Sequence, residues 1–137
     1  MGDTAKPFTD LEQSIKLQKI LPISSADMFY FLNPTPVGNI YMPGNFIFNN
    51  RKPEYDKGDI PCWSLAALFA VLPETLHDYH KMLYYYDGAY HCNYLDDDGV
   101  SFNEYKTTAA NPVDACYSMV LNLHENMLLA NEIRKLE

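Results

Sequence analysis

Basic side chains are scarce in this chain of 137 residues: ten lysines and arginines stand against eighteen aspartates and glutamates, for a formal net charge of −8 with histidine neutral. Affinity for nucleic acid comes largely from Lys and Arg neutralising phosphates, so direct DNA or RNA binding is disfavoured. Adsorption to an anionic membrane is disfavoured on the same ground. The acid excess favours solubility and permits docking on a basic partner protein.

Cysteine is also sparse. Cys62, Cys92 and Cys116 form an odd, widely spaced set with no C-x-x-C pair, which argues against a disulfide framework and a zinc ribbon. The N-terminus lacks the charged and apolar regions of a signal peptide, and Lys6 stands where an N-myristoylation motif wants Ser or Thr. A cytoplasmic protein with reduced thiols is the expectation. The longest apolar run, between Pro61 and Pro73, falls short of the ~20 residues a membrane-spanning helix needs. No Gly-rich phosphate loop, G-x-S-x-G elbow or H-E-x-x-H occurs.

Aromatic side chains, by contrast, are plentiful. Eleven tyrosines and seven phenylalanines favour pleated, half-buried surfaces and therefore sheet. The length fits a single domain over residues 1–137, with residues 1–7 frayed.

The run Pro61–Pro73 is the natural anchor. It holds the only Trp, and Leu65, Leu68, Phe69 and Leu72 recur at the spacing of one buried helical face. Ala66, Ala67 and Ala70 would permit close approach of a sheet or helix, and Trp63 should be largely buried with a partner for its indole N–H. Upstream, Thr9-Asp10-Leu11-Glu12 reads as a capping box with Thr9 as cap, opening a helix from about Asp10 to Ile20.

Met28–Leu32 reads as a strand that Asn33-Pro34-Thr35-Pro36 ends, because proline removes a ladder donor. Ile40–Met42 and Phe46–Phe48 are short strands separated by a Pro43-Gly44-Asn45 turn. Residues 49–60 read as a charged, mobile surface loop. Glu74–His80 is ambiguous, with a further turn of helix as one reading.

Asp87-Gly88 between Met82–Tyr86 and Tyr90–Leu95 signals a hairpin with a type I′ turn. Asp96–Gly99 makes a second turn, and Phe102–Thr107 completes a meander. Asn111-Pro112 then caps a last helix whose apolar face is Cys116, Met119, Val120, Leu123 and Met127. That helix either breaks near Asn126 or continues through Leu128–Leu136.

The fold class expected is α+β: an antiparallel sheet built on the 82–107 meander and extended by strands within 28–48. Two to three helices would pack mainly on one face.

Glu12-Gln13-Ser14, Ser25-Ala26-Asp27-Met28, Pro61-Cys62-Trp63-Ser64-Leu65 and Asp114-Ala115 with Met119-Val120 and Leu123 together resemble a family of small uncharacterised bacterial proteins of phages and mobile elements. The likeness spans most of the chain, with the Trp-Ser-Leu helix as its signature. It implies one compact domain, Gly near the Asn126 position with a helix break there, and frequent Ala at the Cys62 position. It supplies no catalytic residue.

Histidine and cysteine concentrate at His77, His80, His91 and Cys92, but the spacing fits no zinc finger. Neighbours on a strand such as His91 and Cys92 point to opposite faces, so surface histidines and a buried thiol are the plainer reading. Cys62, placed at a helix start, would have a lowered pKa, yet sequence assigns it no base. Asp96, Asp98 and Gly99 match part of a calcium loop, but Tyr94 and Tyr105 occupy positions that need carboxylates. No cofactor and no metal follow.

Tyr84, Tyr85 and Tyr86 with Tyr90 and Tyr94 could expose aromatics on one sheet face. Core packing accounts for half of these tyrosines, and alternation sends the other half outward as a docking surface. The leading functional expectation is an accessory or adaptor protein of a phage or mobile element, non-catalytic, acting through a protein partner or self-association. The alternative is a small enzyme or ligand-binding module with a pocket near Cys62, His77 and His80.

Overall fold

The computed structural model of the protein describes residues 6–45, 47–49, 52–54 and 58–129. Asp87 and Gly88 adopt φ of 52° and 81°, the turn that an Asp-Gly pair between aromatic runs demands. It joins β7 (Tyr79–Tyr86) to β8 (Ala89–Leu95), and β9 (Ser101–Ala109) completes the expected meander. The segment that read ambiguously is another tight hairpin rather than a helical turn. His77 and Asp78 take φ of 51° and 69°, residue types tolerated there, and fold β6 (Thr75–Leu76) onto β7. The sheet order is β6-β7-β8-β9, antiparallel throughout.

The strands of 28–48 do not extend that sheet. β1 (Met28–Thr35) and β2 (Gly38–Asn45) pair with β5 (Ile60–Cys62) in a separate sheet of order β2-β1-β5, while β3 (Ile47–Asn49) and β4 (Lys52–Glu54) form a two-stranded pair. Pro34 and Pro43-Gly44 do not interrupt their strands as their types suggest. β5 covers β1 only at Met28–Tyr30, so Pro34 sits where β1 has one neighbour, and Pro43 lies on edge strand β2. Proline is tolerated at such positions. Of the expected 46–48 strand and 49–60 loop, residues 46, 50, 51 and 55–57 lie outside the described residues, as do residues 1–5 of the N-terminal stretch.

The anchor run divides between two structures. Pro61 and Cys62 belong to β5, Trp63 is extended, and α2 spans Leu65–Val71 with Ser64 as its cap. Leu68, Val71 and Leu72 are fully buried and Leu65 and Phe69 half-buried; Ala66 and Ala70 are exposed and form no contact face. Trp63 is fully buried, and its indole N–H donates to the Ser25 hydroxyl at 3.0 Å.

The N-terminal capping box is one residue later than its sequence pattern suggests. Asp10, not Thr9, caps α1 (Leu11–Leu17): its carboxylate accepts the Gln13 N–H at 2.8 Å, and the Asp10 N–H donates to Gln13 Oε1 at 3.1 Å. Thr9 is instead fully buried.

α3 (Pro112–Glu125), capped by Asn111, lies on β7, β8 and β9, while α2 packs on α3. The core joins Trp63, Leu68 and Leu72 to Tyr94, Cys116, Met119 and Leu123. Of the two readings left open for α3, the break near Asn126 is the one observed: the helix ends at Glu125, and Met127, with φ of 61°, takes the left-handed position rather than Asn126. Leu128 N–H then reaches Leu123 O at 2.9 Å and Met127 N–H reaches His124 O at 3.0 Å, the paired bonds of a Schellman ending. The alternative continuation through Leu136 reaches residues 130–136, which lie outside the described residues.

Candidate functional site

The two-residue Asp87-Gly88 turn sets Tyr86 opposite Ala89, Tyr84 opposite His91 and Met82 opposite Asn93. Each even-numbered residue of β7 is thus paired with an odd-numbered residue of β8. Tyr79 and Leu83 of β7 pack on the core, as do Tyr90, Cys92 and Tyr94 of β8. Alternation then sends Met82, Tyr84 and Tyr86 outward beside His91 and Asn93. Of the five tyrosines, Tyr85 is 61% exposed with its ring against Tyr90, and the other four are sorted two and two. Tyr84 and Tyr86 face out, whereas Tyr90 packs on the core and Tyr94 is fully buried with its hydroxyl donating to Pro73 O at 2.6 Å.

On the outer face the Tyr84 and His91 rings stack at 5.1 Å between centroids, and Tyr86 lies 6.3 Å from the same imidazole. His91 Nε2 is 3.0 Å from the Tyr86 carbonyl, which can only accept, so Nε2 carries the proton. Nδ1 then accepts from the Thr108 hydroxyl at 3.1 Å. The imidazole is therefore fixed by two strands and holds the tyrosines in place. Asn93, 3% exposed, donates to the Tyr84 hydroxyl at 2.7 Å, while its Oδ1 has no partner. Met82 is 46% and Tyr86 67% exposed. A second group of exposed apolar side chains, Val37, Ile40 and Met42, lies on the β1–β2 hairpin.

Met82 was not singled out from sequence, and His91 was considered there only as a metal ligand. The signal was available: the Asp-Gly turn fixes the register, and alternation from Tyr84 and Tyr86 names both residues.

Cys62, His77 and His80 are not brought together. Cys62 is fully buried on β5, and its thiol donates to Thr9 O at 3.4 Å and receives the Thr9 hydroxyl at 3.7 Å. Burial pushes its pKa up, against the lowering bonds of Thr9 and Ser14. The helix-dipole effect expected for a helix start is lost because Cys62 precedes α2, on a strand. His77 packs on Phe102 at 5.5 Å, and exposed His80 lies 3.8 Å from exposed Asp97. No histidine contacts the Cys62 thiol among the described residues.

Cys92 and Cys116 meet in the core between β8 and α3. The hydrogen bond with Cys116, and then burial, raise the Cys92 thiol far above its ordinary value. In the Asp96–Gly99 turn, Asp96 Oδ1 accepts the N–H groups of Asp98 and Val100, each at 2.9 Å, so that oxygen serves its own loop. Among the described residues no group of three His, Cys, Asp or Glu side chains is placed to hold a metal ion, and no helix is long and apolar enough to cross a membrane.

No protein-family model, curated protein or solved structure matches the chain.

Proposed function

We propose that this is a non-enzymatic accessory or adaptor protein that works through protein contacts made by the outer face of the β7–β8 hairpin. The observation that carries the reading is the Met82, Tyr84, Tyr86 and His91 group. Met82 and Tyr86 are exposed and Tyr84 and His91 half-buried on one largely aromatic face, held by the Tyr84–His91 stack and the His91–Thr108 bond. Rigid aromatics lose little entropy on binding and dominate the energetics of protein interfaces.

The only cysteine nominated from sequence for catalysis is sealed by Thr9 with its thiol pKa raised, which weighs against nucleophilic chemistry there. The resemblance carried by the Pro61–Leu65 signature points to a phage or mobile-element setting, and the odd, widely spaced cysteines fit a cytoplasmic one. The acidic composition favours a partner with a neutral or basic surface over nucleic acid.

Photo-crosslinking tests this. A benzophenone side chain at Tyr86 is expected to capture a specific host protein in cells, whereas the same group at exposed Ala66 on α2 is not. Identical capture from both positions, or none from Tyr86, would overturn the assignment of this face.

A further inference from the structure

Among the described residues, one edge of β7 has no backbone hydrogen-bond partner beyond Lys81. β6 pairs with β7 only at Tyr79 and His80, and the Lys81 N–H reaches Glu74 O at 3.1 Å. From Met82 to Tyr86, β7 has no strand on that side among the described residues. The residues flanking a two-residue turn exchange hydrogen bonds, and bonded pairs then alternate along the hairpin. The peptide groups of Met82, Tyr84 and Tyr86 therefore serve β8, and those of Leu83 and Tyr85 point outward.

Sheet edges are usually blunted by charge or proline. β9 carries Glu104 and Lys106 at its edge, and the edge strand β2 carries Pro43. Met82–Tyr86 has neither, and Tyr85 is 61% exposed.

We propose that this edge takes the same edge of a second copy of the chain, β7 to β7 in antiparallel pairing about a two-fold axis through Tyr85, joining two four-stranded sheets into one. An incoming strand runs in line with β6, so Glu74 blocks it at Lys81 and the pairing is confined to Leu83–Asp87. In that register Tyr85 faces its own counterpart, so the outward peptide groups of both copies meet. Tyr84 faces the second Tyr86 and Tyr86 the second Tyr84, and such aromatic cross-strand pairs are favourable.

Charge does not bar self-association at this edge, because Met82–Tyr86 is itself uncharged and Asp87 lies at its end. Each chain carries −8, yet no acid lies within the paired core of the segment. The two Asp87 side chains sit four residues apart along the strands, roughly 14 Å, beyond the ~8 Å screening length at physiological salt. Added salt therefore strengthens the dimer by screening the remaining repulsion.

The inference builds on the proposed role of this hairpin as a contact surface, but the two fail separately. Sedimentation equilibrium of the full chain alone, from about 10 μM to about 1 mM as suits a small interface, is expected to show monomer giving way to a species of twice the mass, more so at higher salt. Tyr85→Lys is expected to stay monomeric across that range with unchanged circular dichroism and melting, while Ser118→Lys on the exposed side of α3 behaves as the parent.

A parent chain that stays monomeric throughout, or a Tyr85→Lys variant that dimerises equally, would overturn the proposal. Monomeric parent together with host-protein capture at Tyr86 sinks the second copy and leaves the adaptor role standing. Dimerisation together with capture of this chain alone sinks the adaptor role instead.

Discussion

Thr9 and Trp63 hold each other by two hydrogen bonds: the Thr9 N–H donates to the Trp63 carbonyl at 2.9 Å, and the Trp63 N–H donates to Thr9 Oγ1 at 3.2 Å. This pair fastens the N-terminal segment to the anchor run. The Tyr30 hydroxyl adds a bond to Thr9 O at 2.8 Å and Ser14 Oγ lies 2.8 Å from Thr9 Oγ1. One buried threonine thereby ties α1, β1, β5 and the approach to α2 together, and it is closed to water.

Thr9→Val keeps the shape and both backbone groups of Thr9 but leaves the Trp63 N–H unmet and takes one partner from the Ser14 hydroxyl. A buried donor without a partner costs about 1–3 kcal/mol, and the variant is expected to lose that much in urea unfolding. Thr9→Ser retains the hydroxyl and should recover most of it. Loss in Thr9→Ser with Thr9→Val unchanged would instead assign the effect to the threonine methyl group.

Asp114 makes acid stability partly a property of the α1–α3 contact. Burial alone would raise its carboxyl pKa, but bonds from Lys6, Gln13 and Asn111, each 2.8 Å, hold it below the ordinary carboxylate value. A carboxyl whose folded pKa is depressed stabilises the protein above its unfolded pKa, and that contribution disappears as pH falls through the folded pKa. Asp114→Asn should therefore be less stable than the parent near neutrality, with the gap closing in acid. Urea midpoints measured from about pH 7 to about pH 2 check this, and a constant gap would disprove the linkage. Added salt should narrow the gap, because the pair is partly exposed.

The elements legible in the sequence are those whose signals are local. Asp87-Gly88 specifies a turn by its φ requirement, Asn111-Pro112 specifies a helix start, and the leucines after Trp63 specify a buried face. The misreadings arise where a partner decides. Thr9 and Asp10 both suit an N-cap, and Thr9 is withdrawn from the role by Trp63, far away in sequence. Pro34 and Pro43 look like strand breakers, yet they fall where one side of the strand has no ladder to lose. The pairing of β1 with β5 rather than with the meander is non-local and left no periodic trace. At the candidate site, alternation foretells that half the tyrosines face out. The parity flip across the hairpin decides which half.

Cys62, Cys92 and Cys116 are each closed to solvent, and the Cys62 and Cys92 thiols are pushed up in pKa by burial, Cys92 foremost by its bond with Cys116. It is the thiolate that attacks an aromatic disulfide reagent and expels the aromatic thiolate, so native protein is expected to react only as fast as it unfolds, and all three thiols should react together in urea. Rapid reaction of Cys62 alone in the native state would contradict its enclosure by Thr9 and return it to consideration as a nucleophile.

Met127 ends α3 in the left-handed region at φ 61° while its side chain is 83% exposed. It therefore bears the cost of a Cβ in that conformation and gains almost no packing in return. Glycine removes the clash but adds freedom to the unfolded chain, and the first effect is the larger at this position. Met127→Gly is expected to raise stability by about 1 kcal/mol, and Met127→Val, branched at Cβ, to lower it by about 1 kcal/mol. Because Leu128 N–H and Met127 N–H close the helix through Leu123 and His124, the gain should appear as slower amide exchange in the last turn of α3. Destabilisation by glycine, with valine neutral, would mean that the chain does not turn left-handed at Met127 in solution.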